Sequence, residues 1–173
     1  MLSGDWSSDV CSSDLLPADD SPGEVILSAA ELAALFPFYF AFDRELTVVQ
    51  AGRSLTRICR GVVPGSFWPD LFTLKRPAVA PTYETLLKYT HNLVLLEHHA
   101  PELTLRGQVL DLPGSGLMLF LGSPWLTDPG DMDRAGLTFD DFAIHDPVVD
   151  LLQVIQSHKA AFDDLKRLNK RLS

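Results

Sequence analysis

The side chains of this 173-residue chain with chemistry to offer are five histidines, two cysteines and a few serines. His91, His98 and His99 lie close together and raise the question of a metal ion. A strand turns successive side chains to opposite faces, so His98 and His99 cannot readily chelate one ion together. No cysteine or paired carboxylate nearby supplies the other ligands that zinc wants. The three therefore read as structural or solvent-facing histidines. His145 beside Asp146 resembles a catalytic pair in miniature, but it stands just before Pro147 at a helix start, where capping or packing is the simpler role. His158 sits further along that helix. A phosphoacceptor histidine is usually followed by Glu or Asp, and Gln156-Ser157-His158-Lys159-Ala160 has neither. Ser54 in Gly52-Arg53-Ser54-Leu55 and Ser123 in Gly122-Ser123-Pro124 lack the G-x-S-x-G elbow. Gly114-Ser115-Gly116 is too short to cradle a phosphate and has no Lys-Ser/Thr after it. No catalytic residue, metal ligand or cofactor-binding residue is expected, and the chain itself is not read as an enzyme.

Composition narrows the setting. With 46% hydrophobic residues the chain is expected to be globular. A net charge of −9 argues against nucleic acid and against anionic lipid. No apolar run approaches the roughly 20 residues of a membrane helix, and the densest, Leu35 to Phe42, is interrupted by Pro37. A soluble, cytoplasmic protein is expected. The first residues stand apart. Gly4 to Leu15 resembles a sequencing-library adapter translated by mistake, and it has neither the basic nor the apolar region of a signal peptide. Residues 1–15 are thus expected to be non-native and 16–27 to be a Pro/Asp/Ser/Gly linker. Without residues 1–15 the one cysteine is Cys59, which can form no internal disulfide and suits a reducing cytosol. Deleting Met1 to Leu15 should leave the melting temperature unchanged; a drop of several degrees would show that the segment packs.

The elements that must position these side chains follow from local pattern. Ser28-Ala29-Ala30-Glu31 is a capping box opening a short helix to about Leu35, stopped by Pro37. Phe38, Phe40 and Phe42 alternate with Tyr39 and Ala41 at the period of a strand. Asp43-Arg44-Glu45 suits a turn, and Leu46 to Gln50 a second, β-branched strand. Gly52 ends that strand, and Arg53 to Arg60 suits a helix with Leu55 and Ile58 inward. Pro64, Gly65 and Pro69 mark a loop leading to a short turn at Asp70-Leu71-Phe72. A helix starts at Ala80-Pro81-Thr82, with Tyr83, Leu86, Leu87 and Thr90 on its buried side. Three strands follow at Asn92–His98, Leu103–Leu112 and Leu117–Ser123, the last two joined by Pro113-Gly114-Ser115-Gly116. Phe36, Phe38, Phe40, Phe42 and Phe67 could line a cavity or could simply fill a core. Gly52 and Gly107 read as backbone accommodations in and after strands.

Three stretches carry a family likeness: Phe36-Pro37-Phe38-Tyr39-Phe40-Ala41-Phe42-Asp43-Arg44 running on to Gln50-Ala51-Gly52-Arg53-Ser54-Leu55, then Leu105-Arg106-Gly107-Gln108, then Leu119-Phe120-Leu121-Gly122-Ser123-Pro124. Over roughly Leu35 to Asp150 the chain resembles the PAS-like heme-NO-binding-associated (HNOBA) domain of soluble guanylate cyclases and bacterial sensor kinases and cyclases. The resemblance implies an α+β fold, with a five-stranded antiparallel sheet, short helices packed on one face, and residues 28–145 as the PAS-like domain. It implies a non-catalytic module that relays a signal from an H-NOX heme sensor protein or domain to a C-terminal output domain. That output would be a histidine kinase, a nucleotide cyclase or a diguanylate cyclase. The alternative is a PAS domain that senses a small molecule directly, in its own aromatic-lined interior. Heme belongs to the H-NOX domain, with its Tyr-x-Ser-x-Arg motif. Tyr39, Tyr83 and Tyr89 are followed two positions on by Ala41, Thr85 and His91, so no heme is expected here.

After His145-Asp146-Pro147 the period changes. Val148, Leu151, Ile155, His158, Phe162, Leu165, Asn169 and Leu172 are spaced alternately three and four apart, the a/d seam of a coiled coil. Val148, Ile155, Phe162 and Asn169 take the a positions, and the seam runs for the three to four heptads the pattern needs. Residues 146–173 therefore read as a dimerising signalling helix, cut rather than finished, that pairs with a second copy or a related PAS-like partner.

Overall fold

The computed structural model describes residues 26–128 and 130–172. The readings of residues 1–15, of most of the 16–27 linker and of Ser173 fall outside them. Helix α1 (Ala29–Leu35) opens on the expected capping box: the Ser28 hydroxyl accepts from the Glu31 amide at 3.2 Å and the Glu31 carboxylate from the Ser28 amide at 2.7 Å. Strand β1 (Phe38–Phe42) turns back through Asp43, whose carboxylate accepts from the amides of Glu45 and Thr47, into β2 (Val48–Ala51). Next come α2 (Arg53–Ile58), a 3-10 turn at Trp68–Asp70, β3 (Phe72–Arg76), α3 (Tyr83–Leu87), β4 (Val94–His99), β5 (Glu102–Leu112) and β6 (Leu117–Pro124). Helix α4 (Gly130–Ala135), a turn at Phe139–Asp141 and the 26-residue α5 (Pro147–Leu172) complete the order.

The fold is α+β, but its antiparallel sheet has six strands, in the order β2-β1-β6-β5-β4-β3. The strand beyond the expected five is β3, whose first residue, Phe72, is also the last of the turn expected at Asp70-Leu71-Phe72. Its Phe72 and Leu74 point into the core while Thr73 and Lys75 face out. Flanking Pro69 and Pro77 made so short a run look like loop. The strand exists because the edge of β4 pairs with it, Leu74 lying opposite Leu96. Lys75 reaches Glu97 across the pair at 3.0 Å.

The helices do not share one face either. Phe38, Phe40 and Phe42 enter the main core with α2, α3, α4 and the start of α5, whereas Tyr39, Ala41 and Leu119 form a smaller core beneath Leu32 and Phe36 on the α1 side. The first helix therefore covers the opposite face. A sheet of alternating strands with apolar residues at both parities needs cover on both sides, and β1 is buried at all five positions. Phe40 is the hub of the main core, with ring centroids of Phe42, Trp68, Phe72 and Phe120 all within 6.0 Å. Of the five aromatics considered for a cavity, Phe36 sits under α1 and Phe67 is half exposed. Leu87, expected on the buried side of α3, is also exposed.

Candidate relay site

Three features stand between the sheet and α5. The first is a buried carboxylate. Asp141 accepts from Arg57 Nε at 2.8 Å and from a terminal guanidinium nitrogen of the same side chain; the other carboxylate contacts are the Thr138 amide at 2.7 Å and the Thr138 hydroxyl at 2.9 Å. The Asp141 carbonyl accepts from the buried Ser54 hydroxyl at 2.7 Å. Arg57 also donates to the Gly136 carbonyl at 3.1 Å. One face of α2 thus pins the connector that leads into α5. The Ser54 hydroxyl is thus committed to a structural hydrogen bond.

Burial alone would raise the Asp141 pKa, but the hydrogen bonds from Arg57 and Thr138 outweigh it and hold the carboxyl below its ordinary value. A carboxyl with a folded pKa lower than its unfolded one stabilises the fold fully above the unfolded value, near pH 4, and loses that contribution as pH falls through the folded value. Asp141→Ala should cost about 2–3 kcal/mol at pH 7, since it leaves the Thr138 amide and hydroxyl and the guanidinium without their acceptor. Urea denaturation checks this, and the gap between variant and wild type should close below pH 4. A gap unchanged at pH 2 would show that the charge is not the cause.

The second feature is close backbone approach. Gly52 caps α2, with its amide donating to the Tyr39 carbonyl at 2.8 Å. A Cβ there would lie 2.2 Å from the Pro37 carbonyl oxygen. Gly107 sits opposite Gly122 in the β5–β6 pair, and a Cβ on it would lie 2.1 Å from the Leu121 carbonyl oxygen. The glycines of the three sequence stretches therefore permit contacts that no other residue allows.

The third feature is α5 itself. Asp146 caps it, accepting from the Val148 amide at 3.0 Å and from the Ser123 hydroxyl at 2.9 Å. Exposed His145 takes no part in that capping. Val148 and Val149 pack against the main core and Leu152, outside the expected seam, is buried within it. Further along, Lys159 approaches Asp128 at 3.8 Å. The helix thus leans on its own domain through positions 148, 149, 152 and 159. The other seam positions lie elsewhere: Ile155 is half-buried, His158 and Asn169 are exposed, and Leu151, Phe162 and Leu165 are 57%, 58% and 64% exposed. Val154 and Leu168 widen that apolar stripe. The side chain of Leu172 lies outside the described residues.

The histidines near the sheet are occupied. His98 is buried, its Nδ1 donating to the Pro101 carbonyl at 3.0 Å and its ring 5.0 Å from that of Phe72. Burial holds its pKa below the ordinary value. His99 points the other way, bonding the Asp70 carbonyl and the Thr73 hydroxyl. Among the described residues no three His, Cys, Asp or Glu side chains are grouped to hold a metal ion. The Cys59 thiol is buried and its pKa pushed up to about 12, which leaves it unreactive. Inside the main core the space among Phe40, Phe42, Trp68 and their neighbours is only about 10 Å³, room for one water.

Comparison with known proteins places this arrangement. A family model described as heme NO binding associated matches residues 25–104 and 97–173, so the match takes in α5. Guanylate cyclase soluble subunit alpha-2 of Homo sapiens is 28% identical over 159 residues, which cover 86% of this chain and 22% of that protein. The alpha-1 subunit of Bos taurus is 24% identical, covering 89% and 24%. The beta-2 subunit of Rattus norvegicus is 26% identical, covering 79% and 22%. The chain spans under a quarter of the length of these relatives. By the match along nearly all of its described length, the chain belongs to the heme NO binding associated family.

Proposed function

We propose that this chain is a non-catalytic relay and dimerisation module, which passes a nitric oxide or heme signal from an H-NOX sensor into an output domain beyond α5. The observation that carries the reading is the apolar stripe Leu151, Val154, Phe162, Leu165 and Leu168, left exposed on a helix whose other side is anchored to the core. Residues 28–145 would form the PAS-like unit and 146–173 the signalling helix. Burying a Leu, Ile or Phe side chain fully is worth roughly 1.5–3 kcal/mol, so parallel pairing of two such helices is favourable. His158 and Asn169 weaken the seam, which suits a helix that must change state, and Asn169 at an a position sets register. Packed interfaces of this kind switch between discrete arrangements. Asp141, Arg57 and Ser54 would carry motion of the domain to the start of α5.

The names of the relatives favour a nucleotide cyclase over a kinase as the output, and a related alpha or beta subunit as a partner beside a second copy of this chain. Among the described residues no helix is long and apolar enough to cross a membrane, and the module would work in the cytoplasm. The filled interior gives the direct-sensor alternative no support at that place. Light scattering over a concentration series tests the dimer: a rising mass toward twice the monomer is expected. A monomer at the highest concentration would mean that α5 does not pair in this chain.

A further inference from the structure

An open cleft of about 510 Å³ lies where the three sequence stretches meet the start of α5, within the size range of small-ligand sites. Its Arg106, Gln108 and Leu121 alternate out of phase with the core residues Leu105, Val109 and Phe120, so it belongs to the sheet face turned away from the main core. The cleft is divided in character. Leu35, Phe36, Leu93 and Leu121 supply apolar wall, while Arg106 supplies a cation and His91 and His145 supply hydrogen-bonding rings. This gathering occurs in a chain of net charge −9. Asp146 is the one carboxylate in the lining, and both its oxygens are engaged by Ser123 and Val148. Arg106 is exposed, and its guanidinium has no hydrogen-bond or ion-pair partner among the described residues.

A guanidinium with no protein partner, standing beside apolar wall, suits a ligand that joins an anionic end to an apolar body, because the planar fork of arginine matches a carboxylate with two parallel bonds. A phosphate dianion is the poorer fit, since it has no apolar body to cover Leu35, Phe36, Leu93 and Leu121 and only one arginine lines the cleft. We propose that this cleft binds a small amphipathic carboxylate, held at its charged end by Arg106 and along its body by Leu35, Phe36, Leu93 and Leu121. The site is separate from the filled interior. His145, Asp146 and Pro147, which start and cap α5, form part of its wall, so occupancy would bear on the relay helix; only that consequence rests on the function proposed above.

Titration of the ¹⁵N-labelled chain followed by amide shifts tests the binding itself, with octanoate, octanol, acetate and inorganic phosphate as probes. Octanoate should give saturable shifts at Arg106, Gly107, Gly122 and His145, with a dissociation constant of about 1 mM or below. Octanol, acetate and phosphate should each bind at least tenfold more weakly. Arg106→Gln, at an exposed strand position, should keep a dispersed spectrum and lose at least tenfold in octanoate affinity, and Arg106→Lys should lose less. Octanol or phosphate binding as well as octanoate, unchanged affinity in Arg106→Gln, or no saturation by about 10 mM octanoate would each overturn the assignment. None of these readouts depends on dimerisation, so the cleft and the relay can fail separately.

Discussion

With α5 pairing as proposed, Phe162→Asp combined with Leu165→Asp should convert the dimer into a monomer whose domain melts at the wild-type temperature. Both side chains are more than half exposed in the single chain and neither belongs to its core. Their replacement therefore removes little from the folded monomer. In a paired helix the same positions would be covered on both copies. Losing two apolar contacts per chain, each worth roughly 1.5–3 kcal/mol, and burying carboxylates in their place should weaken the dimer by at least about a thousandfold. Sedimentation or light scattering reads the mass, and thermal circular dichroism reads the fold. Leu152→Asp is the contrasting change: Leu152 is 2% exposed within the main core, so that variant should lose the fold rather than the partner. A Phe162/Leu165 double variant that still dimerises would place the pairing surface elsewhere. If the relay proposed above operates between a sensor and an output domain, the double change should leave the output unresponsive.

Gly107→Ala should destabilise the domain by more than about 4 kcal/mol, a loss few single methyl groups cause. The added carbon would stand 2.1 Å from the Leu121 carbonyl oxygen and 2.7 Å from the Gly122 Cα. Both are backbone atoms in the β5–β6 pair, so no side chain can rotate away to make room. Relief requires the two strands to separate, at the centre of a sheet whose β6 also pairs with β1. Typical domains have only about 5–15 kcal/mol of total stability, and the variant should therefore be unfolded or close to it. Gly114→Ala is the control. Its φ of +82° disfavours a side chain but nothing lies within 4 Å of the added carbon, so a cost of about 1–2 kcal/mol is expected. Urea midpoints for the two variants make the comparison. Similar midpoints would mean that β5 and β6 are not so tightly apposed.

The local elements were legible because backbone geometry imposes its period on the residues themselves. Phe38, Phe40 and Phe42 alternate with Tyr39 and Ala41 because a strand does, and Pro113 to Gly116 announces its hairpin through turn residues alone. The capping box at Ser28 and the Asp146-Pro147 helix start needed only neighbours within a few positions. The family likeness was readable for the same reason, since close backbone approach at Gly52 and Gly107 leaves glycine in the sequence. The sequence also carries the apolar spacing of α5.

What it does not carry is which surfaces meet. Strand β3 forms because β4 offers it a free edge, and nothing between Pro69 and Pro77 announces that partner. Arg57 finds Asp141 across 84 residues and Ser54 finds the same residue's carbonyl across 87; neither pairing leaves a trace in local pattern. Helix α1 lies on the opposite face because β1 buries both its sides. On α5 the heptad spacing marks a stripe but cannot say how the helix is rotated. Only docking against the core decides that Val148 and Leu152 face inward while Leu151, Phe162 and Leu165 remain outside. Periodicity is a property of the chain's own backbone and can be read from its residues. The choice among non-local partners is settled by packing, where each surface competes for burial with every other.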